Sequence, residues 1–209
     1  MPEKTLEKFL AGYRQFRDTY FEDNKEFIHE LMNKGQAPKA LMIACSDSRI
    51  DPSLKFGVDP GDMFIVRNVA NLVPPFEPDS NAHGTSAALE FAVRGLEVQH
   101  VIVMGHARCG GIKALMTQPQ AGDFVAAWMK IAMPARERAV QISADKPPEF
   151  AQRCCEHEAV KESLKNLLTF PWVKEAVNAG KLQTHGWYFD LETGTLSILN
   201  KATGEFEAA

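Results

Sequence analysis

Apolar residues recur every three or four positions at the start of the chain. Leu6, Phe9, Leu10, Tyr13, Phe16 and Tyr20 form one stripe, and Glu3, Lys4, Glu7, Lys8 and Arg14 form the other face. That spacing predicts an amphipathic helix in need of a surface to cover. After the break at GQAP the pattern changes to short, unbroken apolar runs. ALMIA, residues 40–44, reads as a buried strand running into the polar turn CSDSR, and MFIVRN, after the turn signal DPGD, as a second strand. NAHGTSAALEFAVRGL returns to helical spacing, with Leu89, Val93 and Leu96 on one face and Thr85 or Ser86 as the expected N-cap, and it leads into the strand HVIVMG. Downstream, DFVAAWMKIAM, PARERAVQI and a longer segment carrying Phe150, Cys154, His157, Val160, Leu164 and Leu167 on one stripe read as helices. KLQTHGWYFDLETGTLSIL reads as two strands around an acidic turn containing Gly194.

Strand-length runs alternating with helical ones predict an α/β fold: a central, mostly parallel sheet flanked by helices, with functional residues at the carboxyl ends of strands. No repeat, low-complexity stretch or linker interrupts the pattern, so residues 1–209 read as one domain whose first 35 residues form an N-terminal helical arm.

Composition narrows the function classes. The chain has 209 residues, 45% hydrophobic and 24% charged, which is ordinary globular usage. The net charge of −4 is spread without a basic block, which argues against a nucleic-acid partner. No run approaches the roughly 18 apolar residues of a membrane span, and the start lacks a secretory signal, so a soluble cytoplasmic protein with no membrane partner is expected. Four cysteines are too few for a disulfide framework in a chain this long, and Cys154 and Cys155 are adjacent. Reduced thiols are expected, leaving metal binding or catalysis for any cysteine that is not merely packed.

The candidate chemistry sits at two strand ends. GHARCGG places His106 and Cys109 three residues apart where VIVM meets a glycine-rich turn, and CSDSR places Cys45, Asp47 and Arg49 at the end of ALMIA. A lone His-x-x-Cys is weak, and Cys45 alone reads as a buried, inert thiol. Together, two thiolates and one imidazole make a tetrahedral zinc set with a fourth position open, the arrangement of a catalytic site. Hard cations prefer carboxylates and carbonyls. Arg49 beside Asp47 keeps the carboxylate ionised and aims it. Arg108 is expected to face outward, and His157 and Cys154 are expected to pack. His29, His83, His100 and His185 have no ligand-spaced neighbours.

The motifs ACSDSR, FIVRNVANLVPP, GTSAALEFAV, GHARCGGIKAL and HGWYFD, in this order and over nearly the whole chain, resemble the β-class carbonic anhydrases. NVANLVPP, DFVAAWMKIAMPAR and CCEHEAVKESLKNLL look closest to the plant-like branch. The resemblance implies one zinc per chain on Cys45, His106 and Cys109, with Asp47 and Arg49 as the dyad beside it. It implies a pocket for carbon dioxide and bicarbonate lined by Gln36, Phe64, Val69, Phe91 and the Gly110 amide, built where two subunits meet. The arm would then pack on a partner subunit in a homodimer or higher even-numbered homo-oligomer. Position 91, often tyrosine in that branch, is phenylalanine here. A second bicarbonate site found in another branch uses a tryptophan, an arginine and a tyrosine; the matching positions here are Met42, Arg67 and Phe189.

The expected reaction is the reversible hydration of carbon dioxide to bicarbonate and a proton. Three other readings share some of these features. A carbon disulfide hydrolase would use the same ligands on another linear molecule. A zinc-bearing bicarbonate sensor would have no need of Asp47 and Arg49 beside an open position. A thiol redox protein would show activity without metal, yet the chain has no Cys-x-x-Cys.

Overall fold

The computed structural model describes residues 2–79, 81–117 and 122–209. The chain divides into two compact units, residues 1–37 and 38–209. In the first, helix α1 (Pro2–Phe16) passes through a π-helical turn at Arg17–Phe21, and α2 (Lys25–Lys34) follows. The sequence pattern suggested one helical stripe. The stripe is interrupted where side chains take helix carbonyls: the Thr19 hydroxyl donates to Gln15 O and Asn24 Nδ2 to Tyr20 O, each at 2.8 Å. Leu6, Phe9, Leu10, Tyr13 and Phe16 are all exposed.

In the second unit, β1 (Ala40–Cys45), α3 (Pro52–Phe56), β2 (Met63–Asn68), α4 (Gly84–Glu90), β3 (His100–His106) and α5 (Gly110–Thr117) alternate; the short α3 lies between two strands where the pattern predicted only turns. Helices α6 (Asp123–Met129), α7 (Met133–Ile142), α8 (Pro148–Leu167) and α9 (Pro171–Asn178) precede the strands β4 (Gln183–Phe189), β5 (Leu196–Leu199) and β6 (Phe206–Ala208). Among the described residues the strands form one sheet in the order β2-β1-β3-β4-β5-β6. The first four are parallel and the last two antiparallel, because short turns join β4 to β5 and β5 to β6. The third strand of this terminal meander was not apparent in the sequence.

Side-chain alternation on β1 shows why the runs had no polar interruptions. Leu41 and Ile43 enter a core with Leu89, Val101, Val103, Val160, Leu167 and Phe170, while Met42 and Ala44 face the other way, onto Ile102, Met104 and Ile50. Both faces are covered, so every position is apolar. A third cluster gathers Ala70, Leu72, Ile112, Leu115, Ala135, Ala139 and Ala159 around Cys45 and Cys109, which places the two cysteines in close-packed surroundings.

Helix α8 approaches the sheet over glycines. A Cβ at Gly105 would lie 2.7 Å from Val160 Cγ2, and one at Gly186 would lie 2.9 Å from Leu164 Cδ1. The expected N-cap at Thr85 or Ser86 is corrected: α4 begins at Gly84, with His83 at the cap position and no side-chain cap bond. Thr85 is committed elsewhere, its hydroxyl accepting from Asn68 Nδ2 at 3.2 Å. No helix among the described residues is long and apolar enough to cross a membrane.

Candidate metal centre

The parallel pairing of β1 with β3 brings the ends of two distant segments together. Cys45 closes β1, His106 closes β3, and Cys109 immediately precedes α5. Their ligand atoms lie within 4.8 Å of one another, and all three residues are buried. The sulfurs of Cys45 and Cys109 are 3.9 Å apart. A tetrahedral zinc with thiolate bonds of about 2.3 Å holds two sulfurs about 3.8 Å apart, so this spacing already suits the ion.

The donors are prepared as ligands. His106 Nδ1–H donates to Ala107 O at 2.9 Å, which leaves the lone pair on Nε2, and that buried atom has no hydrogen-bond partner among the described residues. Backbone amides of Asp47 and Ala70 point at the Cys45 sulfur, and those of Gly111 and Ile112 at the Cys109 sulfur. The hydrogen bond from Cys109 is the main cause holding the Cys45 thiol down to about 4. The same bond, with burial, pushes the Cys109 thiol up. Two sulfurs this close share a proton, and a divalent cation between them removes the need for it. Burial opposes charge on His106, but the Cys45 sulfur, the Ala107 carbonyl and Asp47 together raise it. A softer dication than calcium or magnesium fits this set, and zinc fits it best.

Asp47 stands at the rim. Arg49 donates to it from Nε at 2.9 Å, from Nη2 at 2.7 Å and from its backbone amide at 3.0 Å. The guanidinium outweighs partial burial and holds the carboxyl well below its usual range, so Asp47 is an acceptor throughout the neutral range. Its Oδ2 lies 3.9 Å from His106 Nε2.

Arg67 fixes this loop from β2. Its Nε donates to Cys45 O at 2.9 Å, its Nη2 to Asp47 O at 2.7 Å, and its Nη1 lies 3.6 Å from Asp51 Oδ2. The turn after β2 is strained, Ala70 and Asn71 having φ of 64° and 49°. Trp128 Nε1–H pins it by donating to Val69 O at 2.7 Å, and Val69 lies so near Gly111 that a Cβ there would be 2.9 Å from Val69 Cγ1.

The other expected site residues divide into two groups. Val69 and Gly110 lie beside the cysteines, Gly110 offering a first-turn amide that the helix leaves free. Phe64 and Phe91 meet each other, with ring centroids 5.8 Å apart, but not the metal ligands. Phe64 is in register with Leu41, four residues or roughly 13 Å of strand from Cys45. Gln36 lies in the N-terminal unit, exposed, after α2. Arg108 faces outward as expected and pairs with Glu192. His157 packs edge-on against Tyr188 at 4.2 Å, and Cys154 is half-buried. His100 and His185, without neighbours in the sequence, meet at 3.2 Å, and His83 pairs with Asp79 at 2.7 Å.

The sequence reading did not single out Glu156. This buried carboxylate accepts from Cys109 N–H at 2.9 Å, from Gln152 Nε2 at 2.9 Å and from the Tyr188 hydroxyl at 2.8 Å. Burial pushes its carboxyl up against the effect of those donors. A signal was present: Glu156 is in helical phase with Ala159, Val160 and Ser163, all buried.

Residues 40–196 match the family model described as carbonic anhydrase. β-Carbonic anhydrase 5, chloroplastic, of Arabidopsis thaliana is 41% identical over 187 residues, which cover 88% of this chain; the chain spans 60% of that relative's length. The solved β-carbonic anhydrase CcaA superposes with a TM-score of 0.92 at 31% identity, covering 99% of this chain and 92% of its own. A structure from a study of two tetrameric β-carbonic anhydrases of Sordaria macrospora superposes with a TM-score of 0.85 at 29% identity, covering 94% of this chain and 98% of its own.

Proposed function

The chain belongs to the carbonic anhydrase family, in its β class, and from that premise we propose that it catalyses the reversible, zinc-dependent hydration of carbon dioxide to bicarbonate and a proton. The observation that carries the reading is the buried trio of Cys45, His106 and Cys109 with the Asp47–Arg49 pair at its rim. Bound zinc supplies a nucleophile from water close to neutral pH, which a small, linear, apolar substrate requires.

The chain's own groups supply orientation. Asp47, ionised and able only to accept, takes a hydrogen bond from the attacking oxygen and turns a lone pair toward the substrate. Arg49 occupies both carboxylate oxygens and so fixes the direction of the remaining acceptor positions. The Gly110 amide would bond a bicarbonate oxygen, and Val69 would provide an apolar wall. Phe64 and Phe91 form an apolar pair away from the trio of their own chain, the placement expected if they complete the pocket of a second copy. The tetrameric relatives support such a homo-oligomer.

The carbon disulfide and sensor readings are not favoured, since the relatives and neighbours are named carbonic anhydrases and the dyad is assembled. Hydration of carbon dioxide and hydrolysis of carbon disulfide, measured in parallel on one zinc-loaded preparation, test this assignment. The expected result is fast hydration with negligible hydrolysis; the reverse ratio would reassign the substrate.

A further inference from the structure

The structure assigns to Glu156 a positioning role: we propose that it holds the turn that aims the Cys109 thiolate at the metal, and that it does so through hydrogen-bond geometry and not through its charge. The inference rests on reading the trio as a zinc site.

Cys109 immediately precedes α5 and follows Arg108, whose φ of 56° is a left-handed conformation that a β-carbon disfavours. Such a turn persists only when its surroundings over-determine it. The Cys109 amide precedes the helix and has no intrahelical acceptor, and Glu156 Oε1 takes it at 2.9 Å. Gln152, one turn earlier on α8, donates from Nε2 to that same oxygen at 2.9 Å and reaches Cys109 O at 3.5 Å, so amide and carbonyl of the ligand residue are both tied to one helix. The Tyr188 hydroxyl fixes the second carboxylate oxygen at 2.8 Å, and Tyr188 is opposite Gly105 in the sheet, next to His106. Glu156 itself is 3% exposed and lines the small cavity behind His106 and Cys109. It therefore links the helix, the ligand turn and the neighbouring strand, with every donor aimed at it from the protein.

A carboxamide can make the same set of bonds. In Glu156→Gln the Oε1 would accept from Cys109 and Gln152 while Nε2 donates to the Tyr188 oxygen. In Glu156→Leu the Cys109 amide has no acceptor, and partners that orient metal ligands are typically worth 10–100-fold in metal affinity.

The test is zinc affinity measured by competition with a chromogenic chelator, alongside the melting temperature of the zinc-free protein. Glu156→Leu should weaken zinc binding by about 10–100-fold. Glu156→Gln should stay within about threefold of wild type, and the cobalt-substituted protein should keep its thiolate-to-metal absorption bands. Should the leucine variant not fold, Tyr188→Phe, which frees one carboxylate oxygen, should weaken zinc binding by a smaller but measurable factor. Wild-type zinc affinity in the folded Glu156→Leu protein, or in Tyr188→Phe where that is the variant used, overturns the proposal. So does a Glu156→Gln protein as weak as Glu156→Leu, which would make the role electrostatic. A wild-type protein that binds zinc but hydrates no carbon dioxide would overturn the proposed function and leave this inference standing.

Discussion

At the Cys109 sulfur two amide donors and a neighbouring thiol meet, and each constrains the same atom. Losing any one of the three ligands removes a third of the permanent donor set, so Cys45→Ser, His106→Ala and Cys109→Ser should each lose both bound zinc and hydration activity, as elemental analysis and stopped-flow assay would show. Full zinc occupancy in one of them would contradict the ligand assignment. Asp47→Asn separates chemistry from metal binding: the amide can present a donor where the carboxylate only accepts, so zinc should remain while the rate falls by about 10²-fold or more. The buried cysteine–histidine cluster and the Asp47–Arg49 pair were legible in the sequence because cysteine, histidine and an Asp-x-Arg pair at strand ends are few and chemically distinctive. Glu156 was not, because a glutamate in a helix is ordinarily solvated, and Glu158 and Glu162 beside it are also buried, through pairing with Arg138.

At the scale of elements, α8 carries a second buried ionisable group with a consequence for stability. His157 packs against Tyr188 and Phe206, and burial, reinforced by Lys161 and Arg153, lowers its basicity to about 4. The unfolded chain binds this proton at about 6.5, so between these values the unfolded state holds more protons than the folded one. Stability from this site is therefore complete above pH ~6.5 and lost by pH ~4, a difference of about 3 kcal/mol. Denaturant unfolding of wild type and His157→Phe across that range should show the wild type losing more stability on acidification; parallel pH curves would refute the burial argument. Strand β2 carries the other prediction at this scale. Arg67 is committed to Cys45 O, Asp47 O and Asp51, and Met42 is wholly buried. Bicarbonate should therefore inhibit without cooperativity, and sigmoid inhibition curves in a stopped-flow assay would show that a second anion site exists. The alternating strands and helices were legible because unbroken apolar runs report burial on both faces. The start of α4 was not, since Thr85 had two possible bonds and tertiary packing chose the one to Asn68.

For the whole molecule, the parallel order β2-β1-β3 is what turns two sequence motifs about sixty residues apart into one site, because it aligns the carboxyl ends of β1 and β3. The exposed apolar face of α1 and the separation of Phe64 and Phe91 from the trio fit the homo-oligomer proposed above. Deleting residues 1–25 should dissociate or unfold the assembly, and a fully active monomer in sedimentation velocity would contradict that arrangement. This part was only partly legible, because a sequence shows an unpartnered face without showing what covers it. The central claim, that one zinc held by Cys45, His106 and Cys109 makes this chain a carbon dioxide hydratase, is tested most directly by titrating zinc into the metal-free protein while following carbon dioxide hydration by stopped flow. The account predicts a rate that rises linearly and breaks at one zinc per chain. A protein filled to one zinc per chain that hydrates carbon dioxide no faster than buffer would contradict it.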